Sequence, residues 1–547
     1  MNKFQFFQRL RLSLARVACF RVWFLFIVLM PANTSAQLMQ NLSIGSPKAI
    51  ALANAVTATG TGIDSIHYNP AALARYDKRR LHLKGLIAHF EIGAEFGEYF
   101  DEAEELAGFI DYESDPVPGS SGETTCPAIM MPFVGLIEPP FLGFPLGGMS
   151  YRPSGSKLTF ATGTYSPAGF GYTRDPDDPA SYSGQTVAMT RLTYLAPTVA
   201  MQLTDSLALG VSIGFSWQGL GLNLPARAPH VAIAVIEEIG NRACPNGATD
   251  EGVCESLGDP LGVYDSIGTL ETEMEDALSL TFNVGLLWDP NPWLSIGFVY
   301  QSEGVGELEG DFKMSYEDSW TEYWSRQPDL LTSQSWFPQG ASEEQGTATT
   351  ELIQPQHASL GLSVQLTPSW RVNVDLKWTQ TSAWDVMHFK FDQPIDLLRL
   401  AGLIQPDEVP DSQNLIMPRY YEDTTSWAVG MEYQWSDRLT LRWGVEDRPS
   451  GIPKDRQDVL FPVADSYFYG AGFAYQQDRD TLIEFGLGYL KSEADVPANS
   501  SYNANYTGYQ EGEAFDMGTV IYNPYAGIDF KTYVEAYLFS ISYQTLY

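Results

Sequence analysis

Arg371, Lys377 and Arg442 occupy the polar rows of segments in which polar and apolar residues alternate. Arg371 and Lys377 share a row with Asn373 and Asp375, against Val372, Val374 and Leu376. Arg442 shares one with Glu446, against Leu441, Trp443 and Val445. A β-strand sends alternate side chains to opposite faces, so each row lies on one face of a sheet. Where that face encloses an interior, the three cations are the candidate contacts for a ligand carboxylate. Asp375 and Glu446 are expected to neutralise much of this charge within the wall. An aromatic hydrocarbon would need no cation, so the ligand class stays open at this level. Bond-making chemistry has less support. None of the six histidines lies in a helical His-Glu-x-x-His motif or beside a Gly-x-Ser-x-Gly elbow. Cys244 and Cys254 bracket a short polar stretch and are expected to form a disulfide in an oxidising compartment, leaving Cys126 as a free thiol. Their spacing does not resemble a zinc site; no metal and no cofactor is expected.

The elements that must position these residues are strands. From His357 to Trp378 two alternating runs flank Thr367-Pro368-Ser369, with Trp370 and Trp378 at the two ends of the second apolar row. Each run approaches the ~9–11 residues that a tilted strand needs to cross a bilayer. The rhythm recurs at Leu81–Phe90, about Met130–Tyr151, Lys157–Tyr165, Arg191–Leu203, Leu207–Trp217, Leu278–Trp288, Leu294–Tyr300, Trp427–Trp435, Leu439–Val445, Tyr467–Tyr475, Thr481–Tyr489 and Tyr537–Tyr547. Short turns and long connections alternate between these segments. The fold class expected is all-β, a 14-stranded antiparallel transmembrane β-barrel with short periplasmic turns and long extracellular loops. A hydrophobic fraction of 44% and a mean hydropathy of −0.15 agree with this, because half of each strand is polar.

Residues 1–36 read as a signal peptide: five basic residues, the apolar run Val22–Met30, and Thr34-Ser35-Ala36 before the cleavage point. Its removal takes five positive and no negative charges from a chain whose formal charge is −35, leaving it still more acidic. That balance argues against nucleic acid as a partner. Residues 37–80 do not alternate, are rich in Ala, Gly, Ser and Thr, and end in Tyr68-Asn69-Pro70-Ala71-Ala72-Leu73-Ala74. They are expected to fold into the lumen as a hatch, the alternative being a periplasmic extension; residues 81–547 then form the barrel.

Tyr68–Arg75 is similar to the Asn-Pro-Ala motif that ends the amino-terminal hatch of the FadL family, outer-membrane transporters of long-chain fatty acids and other hydrophobic compounds. Gly297–Glu303 followed by Gly310-Asp311-Phe312, His357–Trp384, and Arg442–Val445 through Pro449, Pro453, Pro462 and Tyr475 resemble further strands of that family in order. The resemblance implies passive transport without catalysis, with capture by the third and fourth extracellular loops, transfer to a site near the hatch, and lateral exit through a kinked third strand. It assigns hatch roles to Asn69, Pro70 and Ala71.

The chain offers candidates for each step. In the third long loop Val231, Val235 and Ile239 recur at helical spacing, with Ile236 extending the stripe; the fourth carries Trp320, Trp324, Trp336 and Phe337. Apolar groups on loops that face water are candidates for substrate capture, or else pack the two loops into a lid. Pro167, Gly169 and Gly171 follow the third strand and interrupt ladder bonding as a lateral gate requires. The expected partners are hydrophobic small molecules, outer-membrane lipid and lipopolysaccharide, and the barrel-assembly machinery through the terminal Tyr547; the barrel is expected to be a monomer. A structural or adhesive barrel is the alternative, and an outer-membrane lipase the next.

Overall fold

The computed structural model describes residues 41–99, 114–227, 231–249, 252–404, 411–507 and 523–547. The expected signal peptide (residues 1–36), residues 37–40 and His230 lie outside these ranges. Fourteen strands follow one another around a single wall: β1 (Arg79–Tyr99), β2 (Leu142–Tyr151), β3 (Leu158–Thr173), β4 (Thr186–Leu195 with Thr198–Gln202) and β5 (Leu207–Arg227). Next come β6 (Ser266–Asn291), β7 (Leu294–Gln301 with Gly304–Tyr316), β8 (Glu343–Gln354 with His357–Thr367), β9 (Trp370–Thr379 with Val386–Phe391) and β10 (Asn414–Pro418 with Thr424–Gln434). β11 (Leu439–Arg448), β12 (Ser466–Gln476), β13 (Thr481–Val496) and β14 (Ile528–Leu546) complete the circuit. All neighbours are antiparallel, and β14 returns to β1 with Leu83 opposite Tyr543, so the sheet closes. Closure satisfies the backbone without water, which lipid demands. Among the described residues, no helix is long and apolar enough to cross a membrane.

Three strands overrun or interrupt the regular wall, two of them beyond the sequence expectation and one, β4, at the proline where the sequence itself places a break. β6 runs for 26 residues, well beyond what the bilayer needs. Its outward row changes from Leu278 and Leu280 to Glu271, Glu273 and Glu275 across an irregularity opposite Ser216–Gln218. Much of the third and fourth "loops" is therefore sheet that stands above the lipid belt, built with the opposite phase of alternation. β4 breaks at Ala196-Pro197, where the proline has no N–H to donate; its carbonyl still accepts from Ile213 N at 3.1 Å. The β2 row is the third case. Its lower part is Leu142–Tyr151, and residues from Met130 do not belong to it: Ile129–Met131 and Gly135–Ile137 form a separate two-stranded hairpin.

Residues 41–75 fill the barrel with short helical turns, Pro47–Ala51, Gly62–Asp64, Ser65–Tyr68 and Pro70–Arg75. Ile44, Leu52, Val56, Ile63, Ile66 and Leu73 are buried there. The wall meets them with glycine. Gly210 on β5 faces Pro70, Gly285 on β6 faces Asn69, and Gly297 and Gly361 face Thr57-Ala58. Gly430 and Gly444 face Leu52, Gly470 faces Ile50, and Gly486 faces Pro47. A methyl group at any of these inward positions would overlap hatch atoms. Asn69 shows why its motif is local as well as tertiary: its Oδ1 caps the following turn by accepting from Ala71 N at 3.1 Å, while Nδ2 donates to Thr57 O and Leu286 O. Charged contacts complete the seat. Lys84 Nζ meets Asp64 Oδ1 at 2.6 Å, Arg75 meets Asp289 at 2.6 Å, and Asp375 Oδ2 accepts from Val56 N and Thr57 N at 2.9 Å each.

Gly285→Val should displace the hatch while leaving the barrel closed, because overpacking at such a contact costs about 1–3 kcal/mol. Planar-bilayer recordings should show a larger conductance than wild type, with heat-modifiable mobility retained. Gly85→Ala, where an added Cβ meets nothing within 4 Å, is the matched control and should conduct as wild type.

Candidate functional site

The three cations singled out from the sequence do not stand free as a group. Lys377 Nζ bonds Glu446 Oε1 at 2.5 Å, and Glu446 also receives Arg448 at 3.0 Å and Asn54 Nδ2 at 2.8 Å. Arg442 sits between Glu432 at 3.0 Å and Glu484 at 2.5 Å. Arg371 donates to Gln365 Oε1 at 2.9 Å near the short-turn end. Lys377 and Arg442 are thus wall charges committed to carboxylates beside the hatch. The run Gly210-Val211-Ser212-Ile213-Gly214, which matches a nucleophile-elbow pattern in letters, is continuous strand. Its Ser212 hydroxyl donates to Ile66 O at 3.1 Å, so it holds the hatch and makes no elbow.

A different cation stands where a ligand has room. A cavity with an empty volume of about 680 Å³, open solvent included, lies between β3, β4 and the interruptions in β8 (Leu352–Pro355) and β9 (Thr379–Trp384). Ala168, Phe170, Met189, Leu352, Ile353 and Trp384 give it apolar walls, and Arg191 enters it from β4. Arg191 is 3% exposed, and its Nη1 donates to Ser279 Oγ at 3.1 Å. Its Nη2 has no hydrogen-bond partner, and no carboxylate pairs with it among the described residues. A buried guanidinium left this way is costly unless something else completes it. Gly304 makes space for it, since a methyl there would fall 2.7 Å from both Nη atoms.

The cavity adjoins a gap in the wall. On one side of β3, Thr164 is the last residue opposite β2 (Gly147), and pairing resumes only at Tyr172, opposite Pro127. On β1 the ladder skips from Ala88, opposite Leu142, to Ile92, opposite Thr124. Residues 128–141 leave the row between these points, and β3 itself bulges between Tyr165 and Ala168. Pro167 and Gly169 lie on this edge. Gly171 does not have the open surroundings of a hinge: a methyl there would overlap the Ala128 and Val187 carbonyls, whereas at Gly169 the nearest atom would be 3.8 Å away. The hatch closes the gap from within, with Asn41 N donating to Pro167 O at 3.2 Å and Ser43 Oγ to Ser166 O at 3.0 Å.

A model of the outer membrane protein transport protein family (OMPP1/FadL/TodX) matches residues 26–547. The chain belongs to this family. The long-chain fatty acid transport protein of Escherichia coli O6:H1 (strain CFT073) is 22% identical over 271 residues, 48% of this chain and 54% of that protein. That of E. coli strain K12 is 21% identical over 240 residues, 44% and 46% of the two. The chain thus spans about half the length of the curated relatives it matches. In fold it is similar to a Pseudomonas aeruginosa FadL homologue, with a TM-score of 0.63, 16% identity and coverage of 94% of this chain and 99% of that one. The Ralstonia pickettii toluene transporter TbuX is also similar, with a TM-score of 0.57, 17% identity and coverage of 93% and 99%. This outer-membrane family architecture frames the remaining candidates.

In this family member the third and fourth loops pack into a lid above the cavity. Trp320 and Trp324 are buried with Tyr316, Tyr323 and Phe337, and Trp320 stacks on Tyr316 at 5.1 Å. They belong to the buried core of these loops. The helix Val231–Ala243 turns Ile233, Ala234 and Ile236 inward; Val235 is half-buried, and Ile239 is 50% exposed. Val235 and Ile239 therefore lie off the packed face, which the partner elements meet one to two residues away, and the Val231 side chain lies outside what is described. Trp336 stays 54% exposed. Arg326–Asp259 (3.2 Å) and Gln327–Ser256 (2.9 Å) tie the two loops together, and Cys244 is disulfide-bonded to Cys254. Cys126 is a free, exposed thiol. Burial holds the Glu344 carboxyl above its ordinary range where it accepts from Tyr316 Oη at 2.7 Å and from Asp396 N. Arg191 was missed in the sequence because the proline break in β4 hides its phase; Met189 and Arg191 alternate with Thr190 and Leu192, which was the available signal.

Lys377→Met should cost about 3–5 kcal/mol of stability by leaving a buried carboxylate short of a partner. Denaturant unfolding in detergent should show the loss, while oleate affinity in the refolded protein stays at the wild-type value.

Proposed function

We propose that this barrel passes hydrophobic solutes, long-chain fatty acids foremost, passively across the outer membrane. One observation carries the reading: the cavity that holds the unsatisfied Arg191 Nη2 is walled by Ala168, Gly169 and Phe170, residues of the gap itself. A carboxylate can pair with the guanidinium while its chain lies along Met189, Leu352 and Trp384, and the way out starts at the same strand. The water-filled route of a general porin gives an apolar chain no favourable environment; a largely apolar cavity does. Exit into the bilayer then requires the hatch bonds Asn41–Pro167 and Ser43–Ser166 to open, with the Pro167–Gly169 stretch as the gate. Lipid-exposed backbone at the gap would be left without partners, and the hatch supplies them in the closed state. The relatives named for long-chain fatty acid transport support the carboxylate class, and the toluene transporter supports a neutral aromatic as the alternative solute. Ile239 and Trp336, with Val253 and Leu330 on the same loops, are exposed apolar residues available for first capture.

Cells deleted for their own hydrophobic-solute transporters, with and without this protein, should take up labelled oleate faster with it. No gain for either oleate or toluene would refute transport. Arg191→Ala should weaken oleate binding by about tenfold or more, as expected for a lost charge-assisted hydrogen bond, and leave toluene uptake unchanged. Equal loss for both solutes would mean that Arg191 shapes the cavity without reading a carboxylate.

Gly169→Val tests the route. Side-chain bulk at this open position should slow oleate uptake with little change in equilibrium binding to the purified barrel. Wild-type uptake in correctly folded protein would remove the lateral path.

A further inference from the structure

The hairpin over residues 128–141 is left unused by solute passage. It leaves the wall at the β2 interruption and turns back along the outside of the barrel. Ala128, Met130 and Leu136 cluster with Ala188 and Trp217. On β5 the inward row is Ser212, Gly214 and Ser216, which reach the hatch or neighbouring strands, and the outward row is Val211, Ile213 and Trp217. The hairpin therefore covers outward-facing side chains. Met130 lies against the outer side of Gly219 and Gly221, and Leu136 N donates to Glu273 Oε2 at 3.0 Å on the outward row of β6.

Its height is set by the same contacts. Trp217 and Leu192, opposite each other on β5 and β4, end the apolar outward rows that begin at Leu207 and Leu203. One step higher the outer row of β6 becomes Glu275 and Glu273. The hairpin thus rests on the upper rim of the lipid belt, where interfacial aromatic residues sit in such barrels. Its tip is apolar and bare, with Phe133 100% exposed and Val134 65%; beyond the paired strands Glu138 and Phe141 are exposed as well. Phe133 holds φ at +64°, a left-handed conformation that a bulky residue rarely adopts without a use for it.

We propose that residues 128–141 form an interfacial anchor, clasped to the outer wall through Met130 and Leu136, whose tip residues Phe133 and Val134 contact the acyl chains of the outer leaflet. Continuity with the lipid-facing belt immediately below identifies the occupant. A Phe and a Val set beside that belt gain the transfer free energy of apolar surface only when lipid covers them. The clasp also fixes the β2 chain away from its row, so the gap in the wall persists without depending on solute.

The test uses the full barrel carrying Cys126→Ser, with a nitroxide attached at Phe133→Cys, in vesicles of equimolar phosphatidylcholine and phosphatidylglycerol. Collision rates with oxygen and with a neutral nickel chelate are compared with those at Leu280→Cys in mid-belt and Asp437→Cys in a periplasmic turn. The oxygen-to-nickel ratio at residue 133 should stand severalfold above that at residue 437 and approach that at residue 280. A ratio equal to that at residue 437 places the tip in water and overturns the proposal. So does spin–spin broadening that vanishes on dilution with unlabelled protein, which would make a second copy the occupant. Val134→Cys supplies the same readout if the first variant fails to fold. None of these outcomes depends on solute uptake.

Discussion

Close approach of the hatch backbone to a glycine-lined inner wall is the contact on which the rest of this barrel depends. Eight strands from β5 to β13 present a glycine or a glycine neighbour to residues 47–70. Removing Cβ from the wall lets main chain pack on main chain and gives buried hatch amides such as Val56 N and Thr57 N partners in the wall. The hatch has too few apolar residues for a core of its own. It is ordered by filling a cylinder that is already closed, much as a side chain fills a cavity.

That close fit determines how charge is distributed. Carboxylates and cations on the inner rows are drawn into pairs and into hatch amides, as with Glu446 among Lys377, Arg448 and Asn54, or Asp375 beneath Val56 and Thr57. In a medium of low dielectric an unpaired charge would be costly, so the lower lumen is neutralised locally. Arg191 escapes this neutralisation because it lies above the hatch, on the side of the interrupted strand. The gap and the unsatisfied guanidinium thus share an origin: both arise where the wall ladder and the plug stop serving each other.

The same economy explains the upper barrel. Strands that continue past the membrane exchange lipid for water outside and gain an apolar interior, so their alternation inverts and the acidic residues move outward. Trp320, Trp324 and Phe337, apolar residues on nominal loops, become the core of that upper storey. Glu271, Glu273 and Glu275 stand exposed on the outer row of β6, where water solvates their charge.

Period-two alternation with aromatic ends was enough to read fourteen strands, their turns and the membrane as solvent, because lipid on one side constrains every second residue directly. The Asn69-Pro70-Ala71 motif was legible too, since its capping bond is local. The cavity was not. Whether Lys377 is free or paired depends on Glu446, 69 residues away, and whether Arg191 is satisfied depends on groups such as Ser279, 88 residues away. The β2 interruption was equally hidden, because Met130 and Leu136 look like barrel wall until Trp217 is placed beneath them. Sequence alone determined which face of each strand meets lipid. Only the closed tertiary structure decided which inner charges remain unspent and where the wall opens, because both depend on partners that barrel closure brings together from distant parts of the chain.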